Sequence, residues 1–128
     1  MVDNIEPSEN TICTAFVNQI KFLQQMNQQA VEELIYFHIP NGGSRKSAFE
    51  GYNFKKMGLL PGVADYIFMW RSGSLTKVGF LEFKTQKGKQ TTSQKEFEKQ
   101  SNALNIPYEL VRSEKEGIDI LIKWGVFK

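Results

Sequence analysis

Apolar residues recur at helical spacing early in the chain. Ile12, Phe16, Ile20 and Leu23 fall three or four apart, and Ser8 stands where an N-cap belongs, so residues 9–26 are expected to form an amphipathic helix. The glutamine-rich stretch 24–29 reads as its frayed end and a turn. Tyr36-Phe37-His38-Ile39 reads as a short strand that ends at Pro40. Asn41-Gly42-Gly43-Ser44 follows as a turn or flexible loop. Residues 46–57 can form a helix, weakened by Gly51, with Gly58 as a stop and Pro61-Gly62 as a turn.

The middle of the chain changes period. Residues 63–70 are apolar apart from Asp65, the pattern of a strand buried on both faces. Arg71-Ser72-Gly73-Ser74 reads as a hairpin turn and residues 77–84 as the return strand. After a polar, basic segment, Thr91 and Gln94 match a capping box, and a helix is expected to reach Leu104. Residues 107–111 read as another strand. Ser113 and Glu116 form a second capping box before a last helix that carries Ile118, Leu121 and Ile122 and ends at Gly125. This order predicts a mixed α/β domain whose central sheet has helices on both faces. The tight turn between the two middle strands excludes a regular βαβ repeat.

Length and composition narrow the class. The 128 residues, 41% hydrophobic and 23% charged, fit one domain spanning 1–128, with residues 1–7 loose. The single cysteine, Cys13, excludes an intrachain disulfide and a thiolate zinc site, fits a reducing compartment, and reads as a small core residue. No apolar run is long enough to span a membrane, and the N-terminus lacks a signal-peptide pattern. With His38 the only histidine, a catalytic metal must be held by carboxylates, which points to Mg²⁺ or Mn²⁺. A net charge of +2 permits nucleic-acid binding without indicating it.

The candidate chemistry lies in the two middle strands. Asp65 interrupts an apolar strand, which is costly unless a partner or a metal offsets its charge. On the next strand Glu82 and Lys84 share a face by alternation, and the hairpin sets them beside Asp65. Two acids and a lysine on one spot suit phosphodiester hydrolysis. The acids can hold a hard cation, and the lysine can orient or deprotonate water and offset charge. The plainer reading of Glu82 and Lys84 is a structural ion pair; Asp65 one hairpin earlier tips the balance towards a site. Glu9 is the charged tip of the first helix's buried stripe, where it could reach the metal or simply favour the helix dipole. Gln94 could bind the attacking water or only complete its capping box. Lys84, Lys87, Lys89, Lys95 and Lys99 form one basic cluster, interrupted by Glu96 and Glu98, and Arg45, Lys46, Lys55 and Lys56 form another. Either could be a solvated face or hold phosphates beside the scissile bond. His38 packs or hydrogen-bonds within the fold, with DNA contact as its second reading.

These residues resemble the VRR-NUC domain, the virus-type replication-repair nuclease of the PD-(D/E)XK superfamily. The resemblance covers residues 9–124. It rests on Ser8-Glu9, His38-Ile39-Pro40-Asn41-Gly42-Gly43 with Arg45, Lys56-Met57-Gly58, Pro61-Gly62-Val63-Ala64-Asp65, Glu82-Phe83-Lys84, Lys87-Gly88, Gln94 and Trp124-Gly125. It departs at Ala64, where the family usually has proline. It implies a restriction-endonuclease-like sheet flanked by helices and a Mg²⁺- or Mn²⁺-dependent endonuclease. In that pattern Asp65, Glu82 and the Phe83 carbonyl ligate metal, Glu9 completes the acidic set, Lys84 assists the water and Gln94 supports the site. The DNA-contacting set would be His38, Asn41, Gly42, Gly43, Arg45, Lys46, Lys55, Lys56, Lys87 and Lys89. Stand-alone members of this size look like phage or prophage proteins of the bacterial cytoplasm. They are similar to Holliday-junction resolvases, which act as homodimers on branched DNA. Two other classes compete: a silent DNA-binding or assembly module on the same fold, and a structural α/β protein with coincidental motifs. A metal titration separates the nuclease from the silent module.

Overall fold

The computed structural model describes residues 6–26, 33–40 and 48–127, and for residues 48–51 the backbone alone. In chain order the elements are α1 (Glu9–Met26), β1 (Leu34–His38), α2 (Ala48–Lys56), β2 (Tyr66–Ser72), β3 (Leu75–Phe83), α3 (Thr92–Ala103), β4 (Tyr108–Val111) and α4 (Glu114–Trp124). The expected 41–44 loop, and the first residues of the helix expected from Lys46, lie outside the described residues. So do residues 27–29 of the glutamine stretch; Gln24 and Gln25 are still helical. Of the segment expected to be loose, residues 1–5 lie outside the description. Glu6 is tied down, its Oε1 accepting the Lys87 N–H at 3.2 Å.

The helices begin where their caps dictate. Ser8 Oγ accepts the Thr11 N–H at 3.1 Å, which satisfies one of the donors a helix start leaves free. Thr91 and Gln94 make both halves of a capping box for α3. At α4 only half of the expected box forms. Ser113 Oγ accepts from the Glu116 N–H, but the Glu116 carboxylate turns to the Arg112 N–H at 2.6 Å. Gly125, in the left-handed region, ends α4 as expected.

The four strands form one mixed sheet in the order β1-β2-β3-β4. The pairs β1–β2 and β2–β3 are antiparallel, and β3–β4 is parallel, with α3 as its crossover. Helices cover both faces, as in a restriction-endonuclease-like α/β fold. On one face Tyr66, Phe68, Trp70, Leu81 and Phe83 pack against Ile12, Phe16 and Ile20 of α1 and Ile118 and Leu121 of α4. Gly117 of α4 meets the Phe16 ring so closely that an added Cβ would lie 2.8 Å from it. On the other face Phe97 of α3 closes over Ala64, Tyr108 and Phe80. Among the described residues no helix is long and apolar enough to cross a membrane.

The middle strands differ from the sequence reading in one instructive way. β2 starts at Tyr66, not at Val63, and runs on to Ser72, so the turn shrinks to Gly73-Ser74 with Gly73 at φ 64°. Val63 and Ala64 are apolar because they pack under α3, not because they pair in the sheet. Nor is β2 buried evenly on both faces. Tyr66, Phe68 and Trp70 are buried, while Ile67 and Met69 are half-buried. Similarly, β3 ends at Phe83, and Lys84 follows it, its N–H still held by the Val111 carbonyl at 3.0 Å.

Candidate metal centre

Asp65 sits in a bend just before β2, and its backbone is pinned from β1. Its carbonyl accepts the Ile39 N–H at 2.7 Å and the His38 Nδ1–H at 2.9 Å. His38 therefore positions Asp65, and its ring leans on Tyr66. The Asp65 side chain is fixed from the other strand, with Oδ2 accepting the Phe83 N–H at 2.7 Å. The bend arises because this side chain takes a ladder donor that a neighbouring strand would otherwise claim. Phe83 enters the site through this N–H.

The turn before Asp65 is locked against α3. Gly62 has φ 81°, and a Cβ there would overlap the Ser93 carbonyl group. Only glycine meets both conditions. This backbone contact brings the first turn of α3 to the carboxylates. Gln94 completes its capping box and also reaches the acidic set. Its Oε1 accepts the Thr91 N–H at 2.8 Å, and its Nε2 donates to Glu82 Oε2 at 3.3 Å.

Glu82 is 1% exposed, and among the described residues its Oε1 accepts no hydrogen bond. Burial first, then the negative charge of Asp65 and a hydrogen bond its protonated form can make to that side chain, raises its pKa well above the usual carboxylate range, while Lys84 pulls the other way and Glu9 adds to the rise. Glu9, Asp65 and Glu82 each bring a carboxylate oxygen within 4.8 Å of the other two. Glu9 is exposed, yet its first-turn position in α1 aims it at the other acids, so the reading that makes it part of the acidic set gains geometry. Lys84 is buried at 7% exposure and, among the described residues, in no ion pair within 4 Å. A structural salt bridge would match acids to cations. Here three acids face one buried ammonium, and a buried carboxylate oxygen is left over.

The donor set tests which ion fits. All three convergent groups are carboxylates, which suit a hard divalent cation. His38 Nδ1 is already engaged. Cys13 lies in the adjoining groove, but burial and then the Asp65 charge push its thiol up to about 11, so it stays protonated at neutral pH and offers no soft ligand.

The remaining expected contacts scatter. Lys55 and Lys56 are exposed at the end of α2, with Lys56 Nζ 5.2 Å above the Tyr52 ring. Lys87 and Lys89 are exposed on the loop that follows Lys84. Asn41, Gly42, Gly43, Arg45 and Lys46 lie outside the described residues. Sequence reasoning missed Arg112. Its Nη1 donates to the carbonyls of Thr85, Gln86 and Gly88 at 2.6, 3.2 and 2.8 Å, which folds the loop after Lys84 onto the end of β4. Its only signal in the sequence is a lone arginine between a strand and a capping serine.

The chain matches no protein-family model, no curated protein and no solved structure.

Proposed function

We propose that this protein is a divalent-metal-dependent endonuclease that hydrolyses phosphodiester bonds in DNA. The observation that carries the reading is the buried Glu82 carboxylate with one unpartnered oxygen, beside two further acids and a buried lysine. Glu9, Asp65 and Glu82 would hold Mg²⁺ or Mn²⁺. A cation bound there supplies Lewis acidity to the scissile phosphate and lowers the pKa of a water. The side chains around it divide the remaining work. The Phe83 N–H fixes Asp65, and Gln94 fixes Glu82. Lys84, held at the strand end by Val111, orients the attacking water and offsets charge on the phosphate. Exposed Lys55, Lys56, Lys87 and Lys89 supply surface positive charge of the kind a polyanion requires.

The VRR-NUC resemblance takes the proposal further. It makes branched DNA such as a four-way junction the substrate, a homodimer the working form, and a phage or prophage protein in the bacterial cytoplasm the setting. Two sites related by a two-fold axis suit paired nicks in a two-fold junction. The test incubates the protein with Mg²⁺ or Mn²⁺ on linear, flap and four-way DNA, with and without EDTA, beside light scattering across a concentration series. Metal-dependent cutting that EDTA stops is expected, fastest on the junction. No cutting of any substrate with either metal overturns the nuclease reading. A monomer that cuts linear duplex as fast as junctions overturns the resolvase form alone.

A further inference from the structure

An open groove of about 910 Å³ starts at Glu9 and Asp65 and follows α1 away from the acids. One wall is the helix face carrying Asn10, Thr14, Asn18 and Lys21, which recur at helical spacing and are exposed. The floor is Cys13, Val17 and Tyr66, and His38 and Pro40 close the far side. Among the described residues the groove thus has an apolar floor, a rim of neutral amide and hydroxyl donors, an acidic end and one cation, Lys21, at the other end.

That arrangement selects its ligand. Among the described residues a small free anion meets one cation, Lys21, and has two acids, Glu9 and Asp65, against it. A small apolar ligand gains nothing from an amide rim. A polymer with evenly spaced phosphates joined by apolar sugars and bases fits both surfaces at once. Neutral donors beside the acids can hold phosphate oxygens without competing for the carboxylates as lysines would. From Asn10 to Lys21 the helix rises about 17 Å at ~1.5 Å per residue. At ~3.4 Å per nucleotide along one strand, that accommodates about five nucleotides when stacked and fewer when extended.

We propose that this groove is the subsite for the strand that flanks the bond being cut, with Asn10, Thr14 and Asn18 along its backbone and Lys21 as the outermost phosphate contact. The choice of ligand rests on the nuclease reading. Fluorescence anisotropy with labelled oligothymidylate of increasing length, with Ca²⁺ in place of Mg²⁺ to keep the strand intact, measures it. Mn²⁺ calorimetry and melting curves on every variant show whether the carboxylate site and the fold are intact. Affinity should rise with length and level off near the groove's capacity. Lys21→Ala should lower the slope of log affinity against log salt by about one. Asn18→Glu, which sets an acid against a phosphate, should weaken binding by roughly tenfold or more. Lys77→Ala, at the exposed hairpin end of β3 and outside the groove, should bind as the parent does. If the parent binds Mn²⁺ and oligonucleotide but the two groove variants bind like it, or Lys77→Ala loses as much, the groove proposal fails and the nuclease reading stands. If the parent binds neither, both fail.

Discussion

At the hairpin end of β3, Leu75, Thr76 and Lys77 are exposed; at the other end Leu81, Glu82 and Phe83 are buried, with Lys84 buried just beyond. Each end carries a lysine. Lys77 keeps its water and asks nothing of its neighbours. Lys84 is 7% exposed and shares its surroundings with a carboxylate that burial disfavours in its charged form. A fold that needed only stability would gain by placing apolar side chains at both buried positions. The far end instead gathers the costly groups where α1, the Asp65 bend and the first turn of α3 converge. That distribution is expected where stability is exchanged for chemistry.

The widest separation between the ends should appear on removing Asp65. Asp65→Ala should lower metal-dependent DNA cleavage by roughly 10²–10³-fold, the scale for losing a group that supports developing charge. Initial rates on a labelled junction, with circular dichroism to confirm folding, measure it, and parent-like activity would erase the contrast. Gln94→Ala should act more mildly, lowering Mn²⁺ affinity by about 10–100-fold, because it removes the group that orients Glu82 rather than a ligand. Calorimetry reads that change. Gln94→Glu should keep the Thr91 cap yet bind Mn²⁺ differently, since it sets a carboxylate beside Glu82 Oε2.

Stability against pH sharpens the comparison without activity. Glu82 has a folded pKa raised above its ordinary value of 4.5. Its contribution is therefore fully present below the unfolded value and is lost as pH rises through the raised folded one. Metal-free protein should melt at falling temperature as the pH climbs from about 5 towards 8, and Glu82→Gln should flatten that fall. Mn²⁺ should raise the melting temperature more at the upper end, because cation and proton compete for the same carboxylate. Differential scanning fluorimetry across pH, with and without metal, gives all three curves. The smallest effect belongs to the hairpin end, where Lys77→Ala should change stability by no more than ~0.5 kcal/mol in chemical denaturation.

Much of this was legible in the chain because each signal had a local cause. The stripe Ile12, Phe16 and Ile20 and the Thr91–Gln94 box are set within one or two helical turns. Asp65 and Glu82 stood out because an acid in an apolar run demands a reason. Where sequence pattern and structure differ, one residue type answers to two causes. Val63 and Ala64 look like strand residues, but their apolarity comes from packing under α3. Glu116 has the spacing of a capping partner, but the Arg112 N–H lies in reach and claims it. Arg112 itself was invisible, since three carbonyls gathered by chain reversal leave no periodic trace. The stripe Asn10, Thr14, Asn18 and Lys21 carries no apolar period and no charge run that would mark it in the sequence. Only the wall formed by His38 and Pro40 turns it into a groove.

The contact between Gly62 and the Ser93 carbonyl has a consequence for motion. Asp65 and Gln94 lie on separate elements, and side-chain packing between such elements tolerates rotamer hops on the picosecond-to-nanosecond scale. A main-chain surface seated on another main-chain surface has no rotamer to change. The bend that carries Asp65 and the first turn of α3 should therefore fluctuate together, as one body. Their amides should share high order parameters with each other, and Gly73, at the exposed hairpin turn, should show lower ones. The spacing between the two groups that steady the carboxylates would then stay constant while the rest of the surface moves.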